Sequence, residues 1–267
     1  MQESHMPAMP CAAPDFSLRD KLALITGSTQ GLGFAIACAY AASGARVILN
    51  GRNLERLELA ARRLTERTGH VPHAWQADVS DIDRQEQAYA ALCADAGVPD
   101  ILVNNVGVRL RSSMQDSTTR EIAAHLHTNL TSCVTLSRQA AGAMLAAGSQ
   151  GRIVTMTSIA GMLARAGDAV YPIAKQGLAG MVRSLAVEYG RHGITSNGIA
   201  PGTFATESNA ALAADPVKGR HVVGRNPLER WARPDEIAGA AVFLASPAAS
   251  YVNGHILVVD GGFSITF

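Results

Sequence analysis

Tyr171 and Lys175 stand four positions apart in the run Tyr171-Pro172-Ile173-Ala174-Lys175. On a helix this spacing places both side chains on one face, within reach of each other or of a common ligand. An ammonium near a phenol favours the phenolate, and so draws a group that ionises near pH ~10 toward the range of a general acid/base. The same pair also occurs on ordinary solvated helix faces, so its meaning rests on the residues around it. A second string, Thr26-Gly27-Ser28-Thr29-Gln30-Gly31-Leu32-Gly33, sits where an apolar run gives way to a helical pattern. Its glycines permit a tight turn and close backbone approach, and a helix N-terminus attracts phosphate. The spacing is T-G-x-x-x-G-x-G rather than G-x-G-x-x-G, and an ordinary glycine-rich turn is the competing reading. A nucleotide cradle joined to an ionisable phenol is equipment suited to an oxidoreductase.

Three further clusters follow apolar runs. Asn50-Gly51-Arg52-Asn53 stands where an NAD-binding domain usually carries a carboxylate for the ribose hydroxyls. A guanidinium there can pair with a 2'-phosphate, which favours NADP over NAD, or can simply be solvated at a helix start. Asp78-Val79 offers a carboxylate that either accepts a hydrogen bond from adenine or caps the next helix. Asn104-Asn105-Val106-Gly107 either holds a loop against a cofactor or stabilises a turn.

These positions need elements to carry them. Short apolar runs at 22–26, 46–50, 73–76, 101–104, 153–157, 195–199 and 256–259 read as buried strands. Helical patterns lie between them at 34–43, 54–68, 82–96, 122–147, 170–191 and 234–245, with Pro234 suited to a first turn. This alternation predicts right-handed βαβ units and an α/β fold, a doubly wound Rossmann-type domain with a seven-stranded parallel sheet flanked by helices. Residues 204–233 contain no clear strand and read as a lid over the carboxyl edge of the sheet.

Composition sets the outer limits. No linker divides the 267 residues, so residues 16–267 read as one nucleotide-binding and catalytic domain behind a disordered tail at 1–15. Hydrophobic residues make up 48% and aromatics 5%, which suits helices packed tightly on a buried sheet. A formal charge of +1 gives no electrostatic case for nucleic acid or an anionic membrane. Cys11, Cys38, Cys93 and Cys133 show neither metal-ligand spacing nor a disulfide framework, so the expectation is reduced thiols, a cytoplasmic setting and no structural metal.

The full set resembles the short-chain dehydrogenase/reductase family. The resemblance runs from Phe16 to the C-terminus and rests on Thr26-Gly27-x-x-x-Gly31-x-Gly33, Asp78, Asn104-Asn105-x-Gly107, Asn129, Ser158, Tyr171-x-x-x-Lys175, Pro201-Gly202 and Val259-Asp260-Gly261-Gly262. It implies that Tyr171 exchanges a proton with the substrate oxygen while hydride moves between the substrate carbon and nicotinamide C4. It further implies that Ser158 hydrogen-bonds that oxygen, that Lys175 binds the nicotinamide ribose and lowers the tyrosine pKa, and that Asn129 holds a proton-relaying water. Gly27, Ser28, Gln30, Gly31, Leu32, Gly33, Arg52, Asp78, Val79, Asn105, Val106, Gly107, Pro201, Gly202 and Thr206 are the expected cofactor contacts. Two positions depart from the common pattern: Val106 replaces the usual alanine, and Gln30 stands where many NADP-dependent members have a basic residue. NADP(H) is the favoured carrier, with NAD(H) the alternative. The resemblance also implies a homotetramer, in which apolar Phe263, Ile265 and Phe267 would be covered by a neighbouring subunit or by their own domain.

Within the family, the segments around Val47 to Asn53, Tyr189 to Ile194 and Ala200 to Glu207 look like the gluconate 5-dehydrogenase group. This implies a small-molecule substrate, a polyhydroxy acid and its keto acid. Arg109, Arg111 and Arg165 are candidates for binding its carboxylate, or are solvated loop charges. An apolar lid around Phe204, Leu212 and Trp231 would instead suit a 3-oxoacyl thioester or another hydrophobic ketone. A nucleotide-sensing scaffold without turnover would be marked by a broken Asn129, Ser158, Tyr171, Lys175 set, and all four are present.

Overall fold

The computed structural model describes residues 13–266. Most of the tail expected at 1–15, Cys11 and Phe267 therefore lie outside the described residues. Seven strands, β1 (Leu22–Ile25), β2 (Arg46–Gly51), β3 (His73–Gln76), β4 (Ile101–Asn104), β5 (Arg152–Met156), β6 (Thr195–Pro201) and β7 (Ile256–Val259), form one sheet in the order β3-β2-β1-β4-β5-β6-β7. Every neighbouring pair is parallel. The helices are α1 (Gly31–Ala42), α2 (Leu54–Thr68), α3 (Ile82–Ala96), α4 (Thr119–Leu126), α5 (Ser132–Ala146), α6 (Val170–Tyr189), α7 (Ala210–Ala214), α8 (Lys218–Val223) and α9 (Ala238–Ala245).

The strands read as unbroken apolar runs because both faces of the sheet are covered. Side chains alternate between two cores at the strand period of two. Ala23, Ile25, Val47, Leu49, Ile101 and Val103 join Phe34, Tyr40, Leu57 and Leu244 on one side. Leu22, Leu24, Ile48 and Leu102 join Trp75, Tyr89, Leu92, Leu136 and Met144 on the other. The strand order reverses between β1 and β4, so the crevice beyond their carboxyl ends is a topological switch point. That geometry brings the glycine turn after β1 beside Asn104–Gly107 after β4.

Some boundaries differ from those predicted. The helix expected at 122–147 is two helices joined by a π-turn, His127–Thr131, that contains Asn129. The segment expected at 234–245 opens with a 3-10 turn, Pro234–Ile237, before α9. The segment at 204–233 holds α7 and α8, and a bridge from Phe204 to Ala232 ties its ends together. Asp15, assigned to the tail, accepts a backbone hydrogen bond from Ala248 at 2.9 Å. Among the described residues no helix is long and apolar enough to cross a membrane, no group of His, Cys, Asp or Glu could hold a metal ion, and Cys38, Cys93 and Cys133 are free.

Candidate active site

The glycine turn is set by hydrogen bonds to β2 and to the residue that follows β4. Gly27 and Gly31 have φ of +59° and +60°, a conformation in which side-chain-bearing residues are strained. The Gly27 amide donates to Asn50 Oδ1 at 3.1 Å, and the Asn105 amide group donates to the carbonyls of Thr26 and Gly27, each at 3.0 Å. A Cβ at Gly33 would stand 2.4 Å from Asn105 Nδ2, so only glycine lets α1 approach this closely. Ser28 is fully buried and its hydroxyl accepts from the Asn50 amide at 2.9 Å; it braces the turn from behind. Val79 is likewise buried in the core. Gln30 is the exposed residue before α1, and Gly31 donates its amide to the Glu207 carboxylate at 2.9 Å.

At the outer end of the crevice, Arg52 lies 3.7 Å from Asp78 with four-fifths of its side chain exposed (80%). Ser80 donates to Asp78 through both hydroxyl and amide, and its hydroxyl is the main reason the Asp78 carboxyl is held below its usual range. The cap of α3 is Asp81, whose side chain accepts from Arg84, so Asp78 is left free of the capping role considered for it.

The inner end opens into a cavity of about 970 Å³ whose wall includes Leu32, Asn105, Gly107, Ser158, Tyr171, Lys175, Pro201, Gly202 and Thr206. Arg109, Arg111 and Arg165 reach this wall too, as do Asp168 and, from the lid, Phe204, Leu212, Lys218, His221, Arg225 and Trp231. Gly27, Ser28, Gln30, Gly31, Gly33, Arg52, Asp78, Val79 and Val106 stand outside it, around the turn and the outer crevice. Asn129 is fully buried, accepts from the Val108 amide at 2.9 Å and donates to the His125 carbonyl at 3.0 Å. The π-turn rotates it inward, so that a Cβ on Gly107 would stand 2.9 Å from Asn129 Oδ1 and 3.5 Å from Lys175 Nζ.

Burial raises the Tyr171 pKa; the Arg109 guanidinium and a hydrogen bond with Ser158 oppose it, and Asp168 adds to it. Among the groups opposing the rise, Arg109 is the largest, ahead of Ser158. Lys175 is buried, donates to the Met156 carbonyl at 2.7 Å and has its own pKa brought down to about 8 by desolvation. Arg109, a candidate for the substrate carboxylate or a solvated loop charge, is ion-paired with buried Asp168. Arg111 and Arg165 are exposed and line the cavity. Sequence reading missed Asp168 and the lid cations. The one acidic residue between Ser158 and Tyr171 was the available signal for Asp168.

A dinucleotide fits these residues: a glycine turn that a side chain would block, amides at the start of α1, and a cavity running from Leu32 to the lid. Comparison with known proteins agrees. The family model described as enoyl-(acyl carrier protein) reductase matches residues 27–264. Gluconate 5-dehydrogenase of Gluconobacter oxydans is 38% identical over 95% of this chain and 98% of its own length. The 5-keto-D-gluconate 5-reductase of Escherichia coli K12 is 36% identical over 94% and 98%. The crystal structure of a gluconate 5-dehydrogenase from Burkholderia cenocepacia in complex with NADP and tartrate superposes with a TM-score of 0.89 at 35% identity, covering 95% of this chain and 99% of that one. The chain belongs to the short-chain dehydrogenase/reductase family and is an NAD(P)-dependent oxidoreductase that interconverts a secondary alcohol and a ketone.

Proposed function

We propose that the substrate pair is a polyhydroxy acid and its keto acid, of the gluconate and 5-keto-gluconate kind, with NADP(H) preferred over NAD(H). The observation that carries this reading is a cavity lined by Tyr171, Ser158 and Lys175 together with Arg111, Arg165, Lys218 and Arg225. Such a surface suits an anionic, hydroxyl-rich ligand. The relatives named for gluconate chemistry, and the solved relative that holds tartrate, a hydroxy diacid, support the same class. Arg52 supports NADP(H), since its exposed side chain can turn from Asp78 toward a 2'-phosphate.

A nicotinamide cofactor supplies or accepts the hydride. Tyr171 donates the proton to the substrate oxygen in reduction and removes it in oxidation, while Ser158 orients that oxygen. Lys175 holds the nicotinamide ribose. Asn129 Oδ1 and Lys175 Nζ both lie beside Gly107, and Asn129 holds a water that relays protons toward Lys175. Gly27, Gly31, Leu32, Gly33, Thr206, Pro201 and Gly202 hold the pyrophosphate and carboxamide. Asp78, Asn105, Val106 and Gly107 line the adenosine side, Ser28 and Val79 brace it from the core, and Gln30 fronts the turn without a charge.

Phe204, Leu212 and Trp231 on the lid favour a second reading, reduction of a 3-oxoacyl or other hydrophobic ketone. Initial rates of NADPH and NADH oxidation with 5-keto-gluconate, a 3-oxoacyl ester and a diketone separate the two. Fast NADPH-dependent turnover of the keto acid supports the first, and activity confined to the hydrophobic ketones replaces it. Tyr171→Phe is expected to abolish turnover of either. The proposal extends to a homotetramer, to which exposed Val134 and Leu145 on α5, Ile173 and Val187 on α6 and Ile265 near the C-terminus offer apolar surface. Light scattering of the purified protein tests it. The free thiols suit a cytoplasmic enzyme, and residues 16–267 are taken as its single domain.

A further inference from the structure

We infer that Asp168 is a positioning residue for the reaction: it holds the Arg109 guanidinium across the ring of Tyr171, where that charge serves the phenol and is withheld from the substrate. The inference rests on the reading of Tyr171 as the acid/base. Arg109 directs both Nε, at 3.0 Å, and Nη2 onto the single oxygen Oδ2 of Asp168. Two donors on one acceptor fix the plane of the guanidinium, and its central carbon lies 5.0 Å from the Tyr171 ring centroid. The Asp168 side chain is only 5% exposed, so its charge must be paired, and Arg109 is the cation that meets it. The backbone joins the two segments: the Ala169 amide donates to the Ser112 carbonyl at 3.1 Å, which stitches the loop after β4 to the lead-in of α6.

Other titratable groups face Tyr171 from each element packed on it. His125 of α4 presents its ring 6.1 Å away at 64°, and burial holds it toward its neutral form. Lys175 of α6 places Nζ 5.7 Å from the ring centroid but directs its hydrogen bond to Met156. Arg109 is therefore the cation whose pull on the phenol outweighs the others, and that pull exceeds the opposing push of Asp168. Losing the Arg109 contact disfavours the phenolate even when the Asp168 charge is lost with it.

The test is the pH profile of alcohol oxidation in the purified enzyme for Arg109→Met, Arg109→Lys, Asp168→Ala and Asp168→Asn, with KM and kcat separated. Oxidation needs the phenolate, so Arg109→Met and Asp168→Ala are expected to lose about tenfold in rate at neutral pH and to regain it as pH rises. Arg109→Lys restores part of the neutral rate. Asp168→Asn keeps an oxygen for Arg109 while removing the opposing charge, so it matches or exceeds the parent. A rate that falls equally at every pH in Asp168→Asn and Asp168→Ala overturns the inference, as does an Arg109→Met variant whose only change is a raised KM for the acid substrate. A second readout needs no turnover: tyrosinate absorbance titrated in the cofactor-free protein, with Tyr171→Phe subtracted. Arg109→Met is expected to move that ionisation to higher pH, and an unmoved titration overturns the pairing. Turnover by Tyr171→Phe would instead sink the acid/base reading itself.

Discussion

The carboxylate of Glu207, on the lid, accepts a hydrogen bond from the amide of Gly31, the first residue of α1, at 2.9 Å. The start of a helix favours an anion, and here the protein supplies its own at the end of the glycine turn. A cofactor pyrophosphate at this turn must displace or repel that carboxylate. Glu207→Gln is therefore expected to tighten NADPH binding by roughly two- to fivefold, the size of a single charge at a helix end. Titration of NADPH fluorescence measures it. Weaker binding by the variant would show that Glu207 organises the turn instead of competing at it.

Gly33 tests how closely α1 must approach the sheet. A Cβ there would stand 2.4 Å from Asn105 Nδ2 and 2.7 Å from the Gly27 carbonyl, groups that are themselves hydrogen-bonded at 3.0 Å. Gly33→Ala is expected to cost about 1–3 kcal/mol from overpacking and to abolish cofactor binding. Gly239, within α9, meets nothing within 4 Å and serves as the control. Gly239→Ala is expected to add about 0.5–1 kcal/mol in thermal or denaturant unfolding. Equal losses in both variants would exclude the Asn105 contact as the cause.

The strands were legible because a parallel sheet buried on both faces writes itself as apolar runs, and β3, β4 and β7 fall at 73–76, 101–104 and 256–259 as read. Ser158, Tyr171 and Lys175, singled out by the order of motifs along the chain, all line the same cavity. The π-turn at Asn129 was not legible. His127–Thr131 continues a helical pattern, and the turn is tied by a long-range bond from Val108 to the Asn129 side chain, which also donates locally to the His125 carbonyl. The role of Arg109 was hidden for a similar reason. Its partner Asp168 lies 59 residues away, and no periodicity links a loop after β4 to the lead-in of α6. Tyr171 and Lys175 do share a helix face, yet desolvation and the pull of the Met156 carbonyl decide what Lys175 does in the cofactor-free protein.

Arg52 decides the cofactor on this reading. Its ion pair with Asp78 spans 3.7 Å with both partners exposed, an interaction worth about 0–1 kcal/mol that a 2'-phosphate can displace. A charge-assisted bond to phosphate contributes about 1.5–3 kcal/mol. Arg52→Ala is thus expected to raise KM for NADP roughly tenfold or more and to leave KM for NAD nearly unchanged. Equal changes for both carriers would place the 2'-phosphate elsewhere, and with Gln30 uncharged no other residue of the turn would replace Arg52.

Lys175 couples the site to stability. Burial lowers its pKa from 10.5 to about 8, so as pH rises the folded protein releases this proton before the unfolded chain does. Between those values the unfolded chain binds more protons, and stability climbs with pH. Below pH 8 both states hold the proton and the desolvation cost is fully present, on the order of 3 kcal/mol from the shift. Lys175→Met removes that cost but strips the Met156 carbonyl of its donor, a loss of about 1–3 kcal/mol that does not depend on pH. The parent and Lys175→Met should accordingly be close in stability at neutral pH. The parent should gain on Lys175→Met as pH rises through 8 toward 10.5, read by denaturant unfolding at several pH values. A difference that stays constant across that window would mean that the ammonium is solvated in the folded state, and that Lys175 meets the ribose as an ordinary, fully charged lysine.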